Sequence, residues 1–201
     1  MNFKEIQSRL KDKCVGIAGC GGLGSNASVA LARVGIGKFV IADFDLVELS
    51  NLNRQYFFMD QVGMKKVDAL AENLKRINPQ VEVITNDIIL SDENIIETFS
   101  ECDLTIEAFD RAEMKALIIE AFLHHMPDKY LITGHGLGGF GNFELLEVIN
   151  DDKIILCGDF VSEVSDELPP LAPRVGIVAN MQANEALKIL LDINDHEYNA
   201  E

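Results

Sequence analysis

The chain has 201 residues, 48% of them hydrophobic, and this length and composition suit one compact domain with a sizeable core. The formal net charge of −16 is uneven, because residues 1–90 carry 11 basic and 10 acidic side chains, whereas residues 91–201 carry 6 and 23. The acidic half argues against a nucleic-acid partner, which would need a basic patch, and leaves either a solvated surface or a face that orients a protein partner. A membrane span and a signal peptide are not expected, because no apolar run approaches roughly 18 residues.

The four cysteines, at positions 14, 20, 102 and 157, form no Cys-x-x-Cys pair. Their spacing indicates neither a disulfide framework nor a structural zinc site. We therefore expect no zinc and a reducing, cytoplasmic location.

Strand-like and helix-like runs alternate through the first two-thirds of the chain. Apolar runs predict strands over 14–18, 39–42, 81–85, 104–107 and 130–133. Helical spacing predicts helices over 23–34, 67–77, 92–99 and 112–125, the second of them ending at Asn78-Pro79. This order predicts an α/β fold, Rossmann-like and doubly wound, with a mainly parallel sheet and helices on both faces.

The pattern changes after Thr133. A glycine-rich loop over 134–142 precedes two segments, 143–150 and 153–157, that are typical of antiparallel strands joined by a turn at 150–152. A proline-rich loop and a final helix over 175–191 follow. We interpret 1–201 as a single domain, with a nucleotide-binding platform over 1–133 and a partner-docking extension over 134–201. The final helix, with Met181 and Ile189, either forms part of a homodimer interface or simply covers the sheet.

A glycine-rich loop, GCGGLG, lies between the first strand and the first helix. It fits G-x-G-x-x-G through Gly19, Gly21 and Gly24, with Gly22 beside them. Glycines let the backbone turn tightly and approach a phosphate, which the helix N-terminus attracts. Asp43, at the end of the second strand, is suited to accept hydrogen bonds from ribose hydroxyls. The loop therefore predicts a nucleotide site, and it leaves NAD and ATP both open.

Further polar side chains follow the ends of the second and fourth strands. They are Asp45, Asn51, Arg54, Gln55, Lys66 and Asp110. The two cations suit phosphate oxygens, the two amides can donate hydrogen bonds, and the two carboxylates are ligands that Mg²⁺ prefers. Each residue alone would suit a surface ion pair, but six at one sheet edge favour ATP with Mg²⁺ over NAD.

Several stretches resemble one family of proteins. GCGGLGS, ADFDLVELSNLNRQ, GMKKVDAL and APRVGIVANMQANEALK are similar to motifs of the ThiF/MoeB/HesA family, which includes the adenylating domain of ubiquitin-activating enzymes. The resemblance runs from about Cys14 to Leu191, and SNLNRQ preceded by DFD is its most specific part. The short chain without paired zinc cysteines is most similar to the compact bacterial ThiF-type proteins of thiamine biosynthesis.

The resemblance implies a nucleotidyltransferase that uses ATP and Mg²⁺. Its substrate would be the C-terminal glycine of a small ubiquitin-like sulfur-carrier protein, such as ThiS, that ends in Gly-Gly. The products would be an acyl-adenylate and pyrophosphate. The resemblance also implies a homodimer.

The resemblance assigns roles to single residues. It implies that Asp43 holds the ribose, that Asn51 and Gln55 contact the phosphates, and that Arg54, Lys66 and Asp110 are catalytic. Asp110, helped by Asp45, would ligate Mg²⁺. No catalytic histidine is expected, because the attacking carboxylate is already ionised. One difference from the family concerns the expected metal site. Members of the family frequently have Asp-Asn after the fourth strand, whereas this chain has Asp110-Arg111.

Other readings remain open from the sequence. The same ATP site could activate a carboxylate on modified tRNA, the loop could serve an NAD-dependent oxidoreductase, or the protein could be a non-catalytic scaffold. Cys157 could bond covalently to the carrier, although a lone cysteine in an apolar run is more often a buried hydrophobe. For His124, His125 and His135, capping or surface roles are expected rather than metal binding.

Overall fold

Seven strands form one sheet in the order β3-β2-β1-β4-β5-β7-β6 in the computed structural model, which describes residues 1–192. The strands are β1 (Cys14–Ala18), β2 (Lys38–Ala42), β3 (Glu82–Asn86), β4 (Leu104–Glu107), β5 (Tyr130–His135), β6 (Glu147–Asp151) and β7 (Ile154–Gly158). All neighbouring pairs are parallel except β6 and β7, which are antiparallel. The chain leaves β1 towards β2 and β3 and later returns to β4 on the other side, so the strand order switches between β1 and β4.

Helices cover both faces of this sheet. They are α1 (Phe3–Leu10), α2 (Gly22–Val34), α3 (Lys66–Ile77), α4 (Ile95–Phe99), α5 (Ala112–His125) and α6 (Ala172–Leu190). One core lies between the sheet and α2, α3 and α6, and a second lies between the sheet and α4 and α5. Within residues 1–192, no helix is both long and apolar enough to cross a membrane.

The double covering explains why β1 is a continuous apolar run. Val15 and Ile17 point into the first core, and Cys14 and Ala18 point into the second. All five residues of β1 are therefore buried, as expected for a central parallel strand. The predicted doubly wound, mainly parallel α/β fold is confirmed.

The last third of the chain joins the same sheet. β7 lies parallel to β5, and β6 forms the antiparallel edge beside it. The α6 helix packs against α2, and both Met181 and Ile189 are partly buried against the first core. This helix does cover the sheet, and its use as a dimer interface stays a prediction. Residues 193–201, the end of the predicted 134–201 extension, lie outside the described part of the chain.

Some predicted boundaries were wrong for local reasons. Residues 143–145 form a 3₁₀ turn rather than the start of a strand, and Asn142 before them adopts a left-handed conformation that no strand residue has. α6 begins at Ala172 rather than at 175, since Pro173 fits the first helical turn, where no backbone donor is needed. α4 begins at Ile95 rather than at 92. The α1 helix was not predicted, although Asn2 and Glu5 form a capping box that marks its start.

Candidate active site

A cavity of about 630 Å³ opens at the carboxyl edge of the sheet, where β1, β2, β4 and β5 end. Most of the predicted site residues line it: Gly19, Gly21, Gly22, Asp43, Asp45, Arg54, Gln55, Lys66 and Asp110. Gly24 and Asn51 do not. The parallel topology accounts for this convergence, because the loops after β1, β2 and β4 meet beside the switch in strand order.

The glycine loop brings the backbone close to the cavity. Gly19 has a φ of +98°, and a Cβ atom there would lie 2.9 Å from the carbonyl oxygen of Ala108. Gly21 precedes the first turn of α2, and no side chain caps the backbone N–H groups of that turn. Free N–H groups at a helix N-terminus suit an anion. Gly24 serves α2 packing instead, since a Cβ there would lie 1.9 Å from the carbonyl oxygen of Gly19.

Asp43 ties the glycine loop to the loop after β2. Its Oδ2 accepts a hydrogen bond from the backbone N–H of Cys20 at 2.6 Å, and its Oδ1 accepts one from the N–H of Asp45 at 2.8 Å. Burial raises the pKa of the Asp43 carboxyl, while the charge of Lys66 acts in the opposite direction. The carboxylate lines the cavity at the end of β2, as a ribose-binding group would.

Lys66 is a nearly buried cation at the cavity wall. It is the first residue of α3, and its Nζ lies 2.7 Å from Oδ2 of Asp45. Its backbone N–H also donates to the carbonyl oxygen of Asp45 at 2.9 Å. These two bonds position the ammonium group at the cavity, where a desolvated cation interacts strongly with phosphate.

Arg54 lies on a segment that is hydrogen-bonded to the first turns of α2. The Ser25 hydroxyl accepts a hydrogen bond from the N–H of Tyr56 at 2.9 Å, and the Asn26 amide donates to the carbonyl oxygen of Arg54 at 2.9 Å. The Arg54 guanidinium donates to the Asn53 side chain at 2.7 Å. Its stem passes over Gly22, so the guanidinium lines the cavity beside the glycine loop.

Gln55 and Asn51 have different roles in the structure. Gln55 is buried and lines the cavity, and within the described residues its Oε1 has no hydrogen-bond partner. A buried oxygen without a partner costs free energy, and a ligand donor such as a ribose hydroxyl would remove that cost. The side chain of Asn51 instead accepts the N–H of Glu48 at 3.0 Å and stabilises its own 3₁₀ turn.

Asp110 follows β4 and lines the cavity as an exposed carboxylate, next to Arg111, which precedes α5. Within residues 1–192, no three His, Cys, Asp or Glu side chains come together as a metal-binding group. The two aspartates at the cavity, Asp45 and Asp110, fit a Mg²⁺ ion of the kind that takes one or two carboxylates and completes its shell with phosphates and water.

Sequence reasoning missed a buried ion pair beside the cavity, which one of its members, Lys115, lines. The Nζ of Lys115 lies 2.9 Å from both carboxylate oxygens of Glu107 and donates to the carbonyl oxygen of Gly134 at 2.8 Å. Burial raises the pKa of the Glu107 carboxyl, which Lys115 counteracts. The sequence did contain a clue to this ion pair, because the apolar strand LTIE ends in a glutamate. A carboxylate buried there needs a cationic partner. Gln182 of α6 packs behind this pair and donates to the carbonyl oxygens of Glu107 and Ile132.

The histidines differ in their surroundings. His124 and His125 are exposed at the end of α5, as predicted. His135 was predicted at the surface or in a cap, which is wrong, because it lies half-buried at the end of β5 and lines the cavity. Its Nε2 lies 2.8 Å from the Thr133 hydroxyl. Burial and then the charge of Lys115 lower the pKa of His135 from 6.5 to about 4, so the ring is neutral at pH 7.

The cysteines near the site are buried. Cys20, inside the glycine loop, is fully buried, and burial raises the pKa of its thiol. Cys157 is 0% exposed in the first core, and burial followed by the charge of Glu185 raises the pKa of its thiol to about 12. A buried, protonated thiol is a poor nucleophile, so the geometry favours the interpretation of Cys157 as a core residue.

The fold and the cavity define a Rossmann-like α/β protein in which a glycine loop and charged side chains line one cavity at the carboxyl edge of the sheet. The chain belongs to the ThiF family, which it matches over residues 2–201. It is 32% identical over 190 residues to the molybdopterin-synthase adenylyltransferase of Escherichia coli K12, covering 92% of this chain and 75% of that protein. It is 35% identical over 196 residues to the adenylyltransferase and sulfurtransferase UBA4 of Eremothecium gossypii. That match covers 93% of this chain and 43% of UBA4, so the chain spans less than half of that relative.

Solved structures show the same fold. The E. coli tRNA N6-threonylcarbamoyladenosine dehydratase TcdA, in complex with ATP, superimposes with a TM-score of 0.84 and 23% sequence identity. The match covers 94% of this chain and 90% of that chain. The predicted resemblance to the ThiF/MoeB/HesA family is confirmed, and the likeness to TcdA establishes the Rossmann-like architecture.

Proposed function

We propose that the protein is an adenylyltransferase that uses ATP and Mg²⁺ to activate the C-terminal glycine of a small ubiquitin-like sulfur-carrier protein. The carrier would be ThiS-like, end in Gly-Gly and serve thiazole formation in thiamine biosynthesis. The observation that carries the proposal is the shared cavity, where Arg54, Lys66 and Asp110 lie with the glycine loop and Asp43. Two curated relatives with adenylyltransferase in their names support it.

Different residues of the cavity would bind the ribose, the phosphates and the metal ion. Asp43 and Gln55 would bind the ribose side of ATP, and the first turn of α2 with Arg54 and Lys66 would bind the phosphates. Asp110 and Asp45 would hold Mg²⁺, which, when bound, neutralises charge on the phosphates. Holding two anions together requires such neutralisation, and here it comes from preorganised groups in a partly buried site.

The reaction needs no proton transfer. A carboxylate oxygen of the terminal glycine attacks the α-phosphorus of ATP, and the bond from that phosphorus to the bridging oxygen breaks. Pyrophosphate leaves with the electron pair of that bond, and the glycine becomes an acyl-adenylate. The task of the protein is to align an ionised carboxylate with the phosphorus, which is a matter of position and charge.

The cavity wall formed by the ends of β5 and β7 suits an extended peptide tail. It is formed by Gly134 near the end of β5, by Gly136 and Leu137 after β5, and by residues 162–164 after β7. Exposed apolar side chains continue outward from this wall, among them Phe140, Phe143, Val161 and Val164. We propose that the body of the carrier docks on this surface. The acidic residues of the second half favour a carrier with basic side chains around its tail.

A homodimer in the cytoplasm completes the proposal. A shallow groove along α6, lined by Gly176, Ile177 and Met181 with Val148 of β6, offers apolar surface for a second copy. Sedimentation velocity would give the mass in solution, and a monomer at micromolar concentration would remove this part of the proposal.

The proposal is tested by ATP–pyrophosphate exchange with purified β-grasp carriers that end in Gly-Gly. We expect exchange that depends on the carrier and is lost when the two glycines are removed or Mg²⁺ is chelated. Absence of exchange with every Gly-Gly carrier would overturn the proposal. ATP turnover that depends on modified tRNA would replace it with the tRNA function, against which the charge of residues 91–201 argues.

A further inference from the structure

Arg174 is a buried arginine in the first turn of α6, only 3% exposed. Its Nε donates to the carbonyl oxygen of Gly136 at 3.1 Å, and one terminal nitrogen donates to the carbonyl oxygen of Gly141 at 3.0 Å. The other terminal nitrogen is ion-paired with Asp159. One guanidinium group therefore holds both ends of the segment 136–141, here called the β5 loop, and the start of the segment 159–165, here called the β7 loop.

Asp159 extends this connection along the β7 loop. Its Oδ1 accepts hydrogen bonds from the N–H groups of Val161 at 3.1 Å and Ser162 at 3.0 Å, and its Oδ2 accepts the Ser162 hydroxyl. Gly136 must approach it closely, because its φ is +69° and a Cβ atom there would lie 1.8 Å from Oδ1 of Asp159. The two loops are thus fixed to each other through one buried ion pair.

The two loops link the cavity to the exposed apolar surface. On the inner side, Gly136 and Leu137 of the β5 loop and Ser162 to Val164 of the β7 loop line the cavity. On the outer side, Phe140 is 80% exposed and Val161 is 68% exposed. A direct hydrogen bond from the N–H of Gly138 to the carbonyl oxygen of Ser162, at 2.9 Å, joins the loops between these ends. The relative position of the loops therefore sets the path from the outer surface to the cavity.

A buried ion pair is weak evidence for a role in stability, because burying two charges offsets much of their attraction. Its geometric effect is specific here, since the planar fork of arginine fixes three acceptors at once. All three acceptors belong to the two loops, and the glycine loop, Asp43 and Lys66 receive none of these bonds.

We infer that Arg174, acting with Asp159, is a positioning residue for the tail of the carrier protein. It holds the β5 and β7 loops in the separation that admits an extended Gly-Gly tail, and it acts on carrier recognition rather than on ATP binding. This inference rests on the proposed adenylation of a carrier and names the residue that controls delivery of its tail.

The test compares Arg174→Met and the conservative variant Arg174→Lys with the wild type. It measures carrier recognition and nucleotide binding separately. Carrier KM and kcat come from ATP–pyrophosphate exchange, and nucleotide affinity comes from calorimetry without carrier. We expect Arg174→Met to raise the carrier KM by about tenfold or more, because small misplacements of a bound group carry large penalties. Nucleotide affinity should stay unchanged. Arg174→Lys should recover part of the loss, since lysine keeps the charge but cannot reach three acceptors.

Controls keep the test decisive. Lys38→Met removes the surface ion pair between Lys38 and Glu82. These residues begin β2 and β3, at the edge of the sheet away from the cavity, so the carrier KM and the nucleotide affinity should both stay unchanged. If Arg174→Met does not fold, the double variant Arg174→Gln/Asp159→Asn, which leaves no unpaired buried charge, takes its place.

The inference is overturned if the carrier KM is unchanged, or if carrier KM and nucleotide affinity weaken together, as a purely structural role would require. A wild-type protein that shows no exchange with any carrier would instead overturn the proposed function and the inference with it. The two failures therefore differ in whether wild-type protein is active.

Discussion

The Nζ of Lys66 lies 2.7 Å from Oδ2 of Asp45, although the lysine side chain is 8% exposed and the aspartate side chain is 49% exposed. The ion pair is therefore asymmetric, with a desolvated cation inside and a solvated anion outside. Water already satisfies the carboxylate, so the pair itself contributes little to stability. In the proposed function, the buried ammonium faces the phosphates of ATP in the cavity.

Lys66→Ala is expected to lower kcat in ATP–pyrophosphate exchange by about 100- to 1,000-fold, the usual effect of removing one preorganised charge donor. Lys65→Ala is the matched control, because Lys65 is the adjacent residue but pairs with Asp87 on the surface. Its exchange rate should remain close to that of the wild type. Equal losses in the two variants would contradict the assignment.

Arg54→Ala and Asp110→Ala distinguish an enzyme from a scaffold. Both side chains line the cavity and neither is fully buried, so the variants should fold with nearly unchanged melting temperatures. We expect exchange to be abolished in each, while carrier binding, measured by calorimetry, persists. Retained exchange in both variants would show that the cavity lined by Arg54 and Asp110 is not the reacting site.

Gln55→Leu should weaken ATP binding without destabilising the fold. Its Oε1 is buried without a partner among the described residues, so an apolar side chain of similar size should leave the free energy of unfolding unchanged or raise it. ATP affinity should fall by about tenfold, the equivalent of one hydrogen bond.

Gln61→Leu is the matched control for that change. The Gln61 side chain is also buried, but it is fully bonded to Phe58, Ala69 and Asn73. Denaturant unfolding should show a clear loss of stability, and calorimetry should show normal ATP affinity. A destabilised Gln55→Leu with normal ATP affinity would contradict the role given to Gln55.

Cys157 should not react with thiol reagents or with the carrier in the folded protein. Its sulfur is buried, and its pKa is raised to about 12, so the nucleophilic thiolate is scarce at pH 7. Cys157→Ala should retain exchange, and mass spectrometry after native alkylation should find Cys157 unmodified. A carrier adduct at Cys157 that reductant releases would contradict this interpretation.

Acidification should destabilise the protein partly through His135. The unfolded chain takes up this proton near pH 6.5, whereas the folded chain does so only near pH 4 because burial disfavours the charged ring. Between these values the unfolded state binds more protons, so the free energy of unfolding falls as the pH falls. His135→Gln should lose less stability than the wild type from pH 6.5 to 4, and parallel denaturation curves would refute this prediction.

The alternation of strands and helices and the glycine loop were predictable because their signals are local or periodic. The β1 run and the following GCGGLG lie next to each other in the chain, and Asp43 ends the next strand. Parallel strands bring such loop residues to one edge by topology alone. Asn51 shows the limit of that reasoning, because its position in the motif did not reveal that its side chain bonds to Glu48 rather than facing the cavity.

The amino-acid sequence alone determined the alternating fold, the glycine loop and the membership of the ThiF family, since these depend on spacing along the chain. Only the tertiary structure decided that Glu107 is neutralised by Lys115, that Gln55 has an unpaired oxygen, and that Arg174 joins two loops. Each of these depends on burial and on contacts between distant segments. Burial sets the free-energy cost of a charge or a polar atom, and no spacing rule specifies which partner will offset that cost.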